Sequence, residues 1–396
     1  MDRRRPTISD VAEAAGVSVG TVSNYLNGTA NLRPATRERI DMAIRKLAYR
    51  RSTFARFLSV SDTAQGLADR ASLPRLVVVG YVSVDYMCSI GVLPHRDDRI
   101  TADHIEKALG GPAANVAVAA AAVGMNGQCQ LDLELATVLG DDPDSDWAIA
   151  ELEAKRVRAI PIRQPHNNRL SRCIVMIESN GSRTIINEPF ELSEMDLSAH
   201  YDLKKVKRTS CLHVEGHHFN QMRGPMSQFR KAGWKVAMHC AGLSSEMRKP
   251  EPFLGMIRDL DLVFANDRVV RDVFGIPQPG ADLVAAIKDA LSSIENHGVF
   301  VLTLGAQGAM VFSPDLPDPI SVPALAVTSV DTTGAGDSFA GAFLAQWLHG
   351  QDLETTVEMA AAAGSLTVTA EGAQGVLSSF EDLRDAISKT DVQKVS

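Results

Sequence analysis

The residues best suited to chemistry stand close together late in this 396-residue sequence. Asp331–Asp337 reads D-T-T-G-A-G-D and runs directly into the apolar helical pattern S-F-A-G-A-F. Gly334 and Gly336 let backbone amides converge at the start of that helix, where the positive end of the helix dipole favours anions. Asp337, taken as the first helical residue, is then placed to remove a proton from a hydroxyl group. The same glycines without this aspartate would form an ordinary tight turn.

A second set of polar residues stands earlier in the chain. Asp85 follows the first apolar strand pattern, and Gly110–Asn115 reads G-G-P-A-A-N before an alanine-rich helix. Carboxylate and carboxamide groups at strand ends suit vicinal hydroxyls, because such hydroxyls offer both donors and acceptors. The G-G-x-x-x-N pattern alone more often marks a helix start. Its place between Asp85 and Asp337 favours a site for a hydroxyl-rich small molecule.

The elements that must position these residues follow from apolar periodicity. Leu76–Val82 is a continuous apolar run, typical of a strand buried on both faces of a sheet. Similar runs alternate with helical stretches, which predicts an α/β fold with a mostly parallel sheet and helices on both sides. The dipeptide at 180–181, Asn-Gly, is a strong hairpin signal. Its flanking strands, Cys173–Glu178 and Arg183–Asn187, could form a lid beside the main sheet. The other apolar runs are Ser210–Val214, Lys235–His239, Leu260–Phe264 and Val299–Thr303.

The N-terminal part has a different, all-helical pattern. Ile8–Ala15 has apolar residues at helical spacing, Gly16 breaks the helix, and Ser18 can cap a second one. That second helix covers Val19–Leu26, and a third opens at Pro34. Three short helices with a glycine turn indicate a helix-turn-helix. The sequence thus divides into a helical unit over 1–58, a linker over 59–74 and an α/β unit over 75–390.

Charge is distributed unevenly between these units. Residues through Leu58 include 11 Lys and Arg against 5 Asp and Glu, whereas the remainder holds 29 against 43. A basic unit on an acidic body suits nucleic-acid binding, since positive charge is needed only where the duplex touches. The five cysteines are widely spaced without a C-x-x-C pair, which favours free thiols. No apolar stretch is long enough to span a membrane, so a cytoplasmic location is expected.

Thr7–Leu58 resembles the DNA-binding segment of the lactose-repressor (LacI) family. The match extends over the first helix, the glycine turn, the V-S-x-x-T-V-S core and the trailing L-N-G. The resemblance implies base contacts in the major groove, and a hinge helix whose Leu58 wedges into the minor groove of double-stranded operator DNA. Arg51 stands where the family has proline, which weakens the hinge match. The alternatives are a small helical docking domain and, for Leu58, a core contact. The implied DNA-contacting residues are Thr7, Ser18, Val19, Gly20, Thr21, Ser23, Asn24, Asn27, Arg56 and Leu58.

Residues 75–390 resemble the ribokinase-like (PfkB) carbohydrate kinases, a doubly wound α/β fold with a β-hairpin lid. The resemblance implies transfer of a phosphoryl group from ATP, with Mg²⁺, to a sugar hydroxyl. It makes Asp337 the base, and Gly334, Ala335 and Gly336 the anion hole. It places Asp85, Gly111, Asn115 and Asp337 on the sugar, and Asn266, Thr303, Gly305, Gly308, Gly336 and Gly372 on the nucleotide. Asp331 and Thr333 would help to hold a monovalent cation, for which K⁺ is the candidate.

Two features depart from a simple kinase interpretation. The family carries N-x-x-E, whereas Asn266 is followed three residues later by Val269, with Asp267 as a partial substitute. This departure puts turnover in doubt but leaves the fold unaffected. Separately, the polar residues of 213–218 on one strand face invite a metal interpretation. Residues at the end of a strand that line the substrate cleft are the favoured alternative. This second set comprises His213, Glu215, His217 and His218.

Three hypotheses follow from the pairing of the two segments. The leading one is a sugar-responsive transcriptional regulator whose effector domain is a working kinase. The second is a non-catalytic sensor that binds the sugar and moves the DNA-binding segments; Val269 favours it, and the intact Asp337 turn opposes it. The third is a kinase with a vestigial helix-turn-helix. A two-fold operator and a lid able to pair between subunits both favour a homodimer.

Overall fold

The chain forms two compact units, Met1–Asp69 and Arg70–Ser396, in the computed structural model. The second unit begins at Arg70, inside the stretch predicted as linker. None of the helices that the structure describes is long and apolar enough to cross a membrane. The structure describes residues 8–18, 21–22, 25, 32–46, 70–162, 169–179, 182–188, 197, 200–204, 206, 208–277, 281–295 and 297–395.

The first unit contains helix α1 (Ile8–Ala15) and helix α2 (Pro34–Lys46). Gly16 ends α1 in the left-handed region at φ 62°. The hydroxyl of Ser18 then accepts a hydrogen bond from the backbone N–H of Thr21 at 3.1 Å. This is the N-cap geometry predicted for the helix over Val19–Leu26. A small core joins the helical segments, which suits a helix-turn-helix. Its buried residues are Val11, Ala12, Ala15, Val22, Ile40 and Ala43.

The second unit is built on a nine-stranded sheet with strand order β13-β12-β11-β10-β9-β8-β1-β4-β5. All neighbouring pairs in the run β11-β10-β9-β8-β1-β4-β5 are parallel. Strands β12 and β13 continue the sheet beyond β11 with antiparallel pairing. The predicted strand runs are confirmed, with shifts of a few residues at their ends. The strands are β1 (Arg75–Val79), β4 (Asp132–Val138), β5 (Arg158–Ile162), β8 (Ser210–Glu215), β9 (Lys235–His239), β10 (Leu262–Asn266), β11 (Val299–Thr303), β12 (Ala309–Phe312) and β13 (Ile320–Val322).

Helices cover both faces of this sheet. Consecutive residues of β10 point to opposite sides: Val263 joins the cluster that contains Phe229 and Phe253, whereas the Phe264 ring packs 5.4 Å from that of Phe343. The doubly wound arrangement predicted from the sequence is therefore present. The helices of this unit are α3 (Pro112–Val123), α4 (Pro143–Ala154), α5 (Phe219–Lys231), α6 (Pro250–Arg258), α7 (Asp267–Phe274), α8 (Ala281–Ser292), α9 (Ala335–Leu348), α10 (Leu353–Thr367) and α11 (Phe380–Val395).

A second, four-stranded sheet forms the lid, in the order β3-β2-β6-β7. The predicted hairpin is present as β6 (Ser171–Glu178) and β7 (Arg183–Asn187), while its turn lies outside the described residues. The sequence did not indicate the other two strands, β2 (Ser83–Ile90) and β3 (His104–Gly110). Asp85 consequently lies within the lid sheet rather than in a loop after the first strand. The lid therefore carries a residue predicted to bind substrate.

Candidate active site

The polar centre of the site is the pair formed by Asp337 and Asn115. Asp337 lies in the first turn of α9, and its Oδ2 accepts a hydrogen bond from Nδ2 of Asn115 at 2.9 Å. Asn115 lies in the first turn of α3 and is buried. Its Oδ1 in turn accepts from Nε2 of Gln374 at 3.0 Å, and Gln374 also donates to the carbonyl of Leu109 at 3.1 Å. These bonds fix the orientation of the amide that faces the carboxylate.

The surroundings of Asp337 favour proton acceptance near neutral pH. Burial raises the pKa of Asp337 to about 7; the Asn115 hydrogen bond lowers it and the carboxylate of Glu215 raises it. Nδ1 of His239, at the carboxyl end of β9, lies 3.7 Å from Oδ1 of Asp337. Burial lowers the pKa of His239 to about 4, so its imidazole is neutral at pH 7. A base whose pKa lies near the working pH is well matched to general-base catalysis.

The turn before α9 is shaped for an anion. Gly334 is the N-cap of α9 at φ 74°, and a Cβ there would collide with Ala373, so glycine is required. The helix begins at Ala335, which makes Asp337 its third residue and corrects the expectation that it would be the first. The first amides of a helix have no intrahelical partner. Ala335 donates its N–H to the carbonyl of Thr332 at 3.4 Å, so the N–H groups of Gly336 and Asp337 are the donors that this turn offers to a negatively charged group.

A cavity of about 560 Å³ opens above this pair. Asp85 extends into it from the lid strand β2, and its Oδ1 accepts a hydrogen bond from the hydroxyl of Ser83 at 2.6 Å. Burial raises the pKa of Asp85, against the effect of this hydrogen bond. The structure thus brings the sugar-binding candidates together. Those predicted site residues that line the cavity are Asp85, Gly111, Asn115, Asp331, Thr333, Asp337 and Gly372.

Five nucleotide candidates lie outside the lining of that cavity. Gly336 lies in the first turn of α9, and the other four lie at or just after the carboxyl ends of two neighbouring strands. Asn266 ends β10 and is paired in register with Thr303, which ends β11. Gly305 and Gly308 follow at positive φ in the turn that leads into β12. In an open α/β sheet, the carboxyl ends of the strands are where ligands bind. Contact of these four residues with a nucleotide stays a prediction.

The departure from N-x-x-E has a clear structural setting. Val269 is 3% exposed and belongs to the main hydrophobic cluster, while its N–H donates to Oδ1 of Asn266 at 2.9 Å. Asp267 forms an ion pair with Arg271 at 3.1 Å. The position of the family glutamate is therefore apolar and buried, and the carboxylate expected as its substitute already has a partner. These residues do not supply a free carboxylate for Mg²⁺.

Asp331 and Thr333, predicted to hold a monovalent cation, share a cationic partner from the lid. Arg183, the first residue of β7, forms an ion pair with Asp331 and donates to the hydroxyl of Thr333. Asp331 also accepts from the N–H of Thr333 at 2.6 Å and from that of Gly372 at 2.7 Å. Burial raises the pKa of Asp331, but these hydrogen bonds outweigh it and hold the pKa below its usual value. A bound K⁺ stays a prediction.

The polar cluster at the end of β8 does not form a metal site. No group of three or more potential metal-ligating side chains occurs in the part of the chain that the structure describes. Glu215 instead accepts from the N–H of Tyr81 and lies 3.3 Å from Nε2 of His218. Burial lowers the pKa of His213 to about 3, with a contribution from His239. Of the residues predicted either to bind metal or to line the cleft, His213, Glu215 and His218 are buried, whereas His217 is exposed. None of the four lines the cavity.

Three residues of the site were not identified from the sequence. His239 and Arg183 stand at the ends of predicted strands, so their places at the sheet edges could have drawn attention to them. Gln374 follows the Gly372-Ala373 segment and carries no pattern of its own. Each of them contacts a residue remote in the chain: His239 lies beside Asp337, Arg183 contacts Asp331, and Gln374 contacts Asn115.

Most of the predicted DNA contacts lie outside the described residues. Ser18 and Thr21 are described, and their hydroxyls lie 2.8 Å apart at the start of the second helical segment. A side chain that caps a helix can still present its hydroxyl to a phosphate, which is the role predicted for Thr21. The predicted contacts that lie outside the described residues are Thr7, Val19, Gly20, Ser23, Asn24, Asn27, Arg56 and Leu58.

Comparison with known proteins matches both segments. Residues 73–379 match the pfkB family of carbohydrate kinases, and residues 7–52 match the lacI family of bacterial regulatory proteins. A deoxyribokinase of Salmonella typhimurium is 25% identical over 328 residues, which cover 79% of this chain and 98% of that protein. A ribokinase of Arabidopsis thaliana is 27% identical over 318 residues, covering 76% and 78%.

Solved structures agree on the fold. The ribokinase of Thermotoga maritima superposes with a TM-score of 0.64 at 21% identity, covering 80% of this chain and 99% of its own. Arabidopsis thaliana ribokinase, complexed with ribose and ATP, gives a TM-score of 0.62 at 24% identity with the same coverage. At this identity the likeness establishes the ribokinase-like fold alone. The chain therefore belongs to the pfkB family of carbohydrate kinases and joins that kinase domain to a helix-turn-helix segment of the lacI family.

Proposed function

We propose that this protein transfers a phosphoryl group from ATP to a hydroxyl of a sugar or sugar-like alcohol, and that its helix-turn-helix makes transcription respond to that sugar. The observation that carries the enzymatic half is the placement of Asp337. Its carboxylate has a pKa of about 7, is oriented by Asn115, and faces a cavity that Asp85 also lines. A carboxylate so arranged is suited to act on a bound hydroxyl.

In the proposed reaction, Asp85 and Asn115 bind vicinal hydroxyls and orient one of them toward Asp337. The oxygen of that hydroxyl attacks the γ-phosphorus of ATP, its proton passes to Asp337, and the bond to the ADP oxygen breaks. The amides at the start of α9 stabilise the charge on the transferred group. Mg²⁺, when bound with the nucleotide, supplies further neutralisation of phosphate charge.

The nucleotide would bind along the strand ends that carry Asn266 and Thr303, under the glycine turn of Gly305 and Gly308. Proximity of the two strand ends supports this placement, since the residues are in register. The relatives support the choice of ATP: one is an ATP-dependent ribose-1-phosphate kinase of Halopiger xanaduensis, 25% identical over 303 residues. Their names also suggest which substrates to test first, namely ribose, deoxyribose, ribose 1-phosphate and nucleosides.

The second candidate function is a non-catalytic sensor that keeps the kinase fold for ligand binding. One observation favours it: the family glutamate is replaced by the buried Val269, and Asp267 is paired with Arg271. Handling of Mg²⁺ would then be poor. The complete Asp337 turn opposes this candidate, because a protein that only bound sugar would have no use for a general base.

The regulatory half of the proposal requires a dimer, since a two-fold operator is read by two helix-turn-helix segments. We place the dimer contact on the outer face of the lid sheet. Ile105, Ile174 and Ile186 are 61%, 43% and 56% exposed, and Ile174 and Ile186 are cross-strand partners. Exposed apolar groups on one sheet face are typical of a protein–protein contact. In the dimer, sugar-driven movement of the lid would reach both DNA-binding segments.

One experiment separates these candidates. Full-length protein is incubated with γ-labelled ATP, Mg²⁺ and each substrate of the panel, and both labelled product and the shift in unfolding temperature are measured. Transfer to one substrate supports the kinase. A substrate that raises the unfolding temperature but accepts no phosphoryl group supports the sensor, and a panel without any shift contradicts both. Selection of bound duplexes from genomic DNA, with and without the active substrate, then tests the regulatory half.

A further inference from the structure

The lid and the catalytic turn are joined by one charged residue. Arg183 begins β7, and its Nη1 contacts both the carboxylate of Asp331 and the hydroxyl of Thr333. The two residues belong to the D-T-T-G-A-G-D turn that carries Asp337. The Asp331 side chain is 1% exposed and that of Arg183 is 18% exposed. This ion pair therefore joins the lid sheet to the turn before α9, and its carboxylate is buried.

The place that Arg183 occupies is the one predicted for a monovalent cation. Asp331 is ionised, because its hydrogen bonds hold its pKa below the usual value. An ionised carboxylate this deeply buried requires a compensating positive charge. Within the described part of the chain, the only full positive charge recorded on Asp331 is that of Arg183. A K⁺ on the same two oxygens would have to compete with the guanidinium for them, so the residues present do not fit an additional cation while Arg183 is in place.

We propose that Arg183 replaces the monovalent cation at the catalytic turn. Its guanidinium neutralises Asp331 and is a positioning group for the turn, and it reaches that turn only when the lid lies over the cavity. The link between lid closure and readiness of the anion hole rests on the proposed kinase function. The replacement of the cation by Arg183 is independent of the proposed kinase function, and it can be tested on the protein without any substrate.

The test is the unfolding temperature of full-length, ligand-free protein as K⁺ replaces tetramethylammonium at constant ionic strength. A cation that binds only the folded state raises the unfolding temperature as its concentration increases. We expect the wild-type value to stay constant. The Arg183→Met variant should unfold at a lower temperature in tetramethylammonium and regain stability with K⁺. Arg183→Lys keeps the charge and should respond little. Arg169→Met, which removes an exposed arginine just before β6 that is paired with Glu188, should behave like wild type.

Two results would overturn the proposal: a rise with K⁺ in the wild type as large as in Arg183→Met, or no response of Arg183→Met to K⁺. If Arg183→Met does not fold in tetramethylammonium, recovery of folding on addition of K⁺ supports the replacement, and failure to recover at high K⁺ contradicts it. Wild-type turnover in the two salts is measured separately. Absence of turnover in both would count against the proposed kinase, while the unfolding temperatures would still decide the role of Arg183.

Discussion

Asn115 and Asp337 are separated by 222 positions in the sequence, yet the amide nitrogen of the first lies 2.9 Å from a carboxylate oxygen of the second. Each residue lies in the first turn of its helix, and the two helices, α3 and α9, pack against each other. The G-G-x-x-x-N motif and the D-T-T-G-A-G-D motif therefore meet at the same end of one helix pair. A ligand held by Asn115 lies beside Asp337 without any movement of the main sheet.

The first prediction concerns the role of Asp337 as base. Asp337→Asn should lower sugar-dependent ATP turnover on the order of a hundredfold or more, since a positioned general base typically contributes that much. Sugar affinity, measured by calorimetry, should stay nearly unchanged because Asn can still accept the Asn115 hydrogen bond. Asp352→Asn, which alters a helix cap remote from the turn sequence, is the control. Unchanged turnover in Asp337→Asn would remove this residue from the mechanism.

The second prediction is the pH dependence of turnover. Because the pKa of Asp337 is raised to about 7, the base is ionised only above neutrality. We expect kcat/KM to rise through about pH 7 and then level off, as measured in the free enzyme over a pH series at constant ionic strength. A profile with its midpoint near the ordinary carboxyl pKa would contradict the buried-base interpretation.

The third prediction uses the same pKa shift as a statement about stability. A carboxyl whose pKa is higher in the folded state than in the unfolded chain stabilises the fold at low pH, and this contribution is lost as the pH rises through about 7. Asp337→Asn stays neutral throughout. Its free energy of unfolding should therefore exceed that of the wild type above neutrality, by a few kcal/mol at about 1.4 kcal/mol per pKa unit. The stability difference should develop between the ordinary carboxyl pKa of 3.8 and the folded pKa of about 7, so denaturant titrations should show a wider difference at pH 8 than at pH 5.

The fourth prediction addresses the altered N-x-x-E pattern. Val269→Glu places a carboxylate at a position that is 3% exposed, so it should lower the free energy of unfolding by several kcal/mol. We also expect it to lower the Mg²⁺ concentration needed for turnover, because it restores the family pattern. Val269→Gln has the same size without the charge and separates the two effects. A Mg²⁺ requirement that is equal in wild type, Val269→Glu and Val269→Gln would show that this position has no part in metal handling.

The fifth prediction concerns the dimer and its coupling to DNA. Ile174→Asp with Ile186→Asp should give a monomer by sedimentation, since it charges the outer lid face, whereas Met125→Asp, another exposed apolar site, should not. Operator affinity should fall when the dimer is lost, because a two-fold operator is read by two helix-turn-helix segments.

Reciprocity then tests the coupling itself. If the sugar weakens operator binding, operator DNA must weaken sugar binding by the same factor. Calorimetric titration of the sugar with and without operator duplex measures this factor. Equal sugar affinities in the two titrations would mean that the two units are merely tethered, and the regulatory proposal would fail.

Much of this molecule was predictable because its signals are local. The D-T-T-G-A-G-D turn, the G-G-x-x-x-N helix start and the helix-turn-helix each lie within a short segment. The buried strands β9 and β11 are continuous apolar runs, and their bounds were predicted from the sequence. The lid strands β2 and β3 were missed because their side chains are mostly half-buried or exposed, so neither strand has an uninterrupted apolar run.

The sequence by itself determined which elements form and which residue types stand at their ends. Only the tertiary structure decided which of those ends meet: Asn115 with Asp337, His239 beside the same carboxylate, and Arg183 on Asp331. It also decided that Val269 is buried. Turns, caps and strand runs depend on neighbours in the chain, so a local pattern can predict them. Burial, charge compensation and the pKa of a carboxyl depend on groups brought together from remote positions, and no local sequence pattern predicts those contacts.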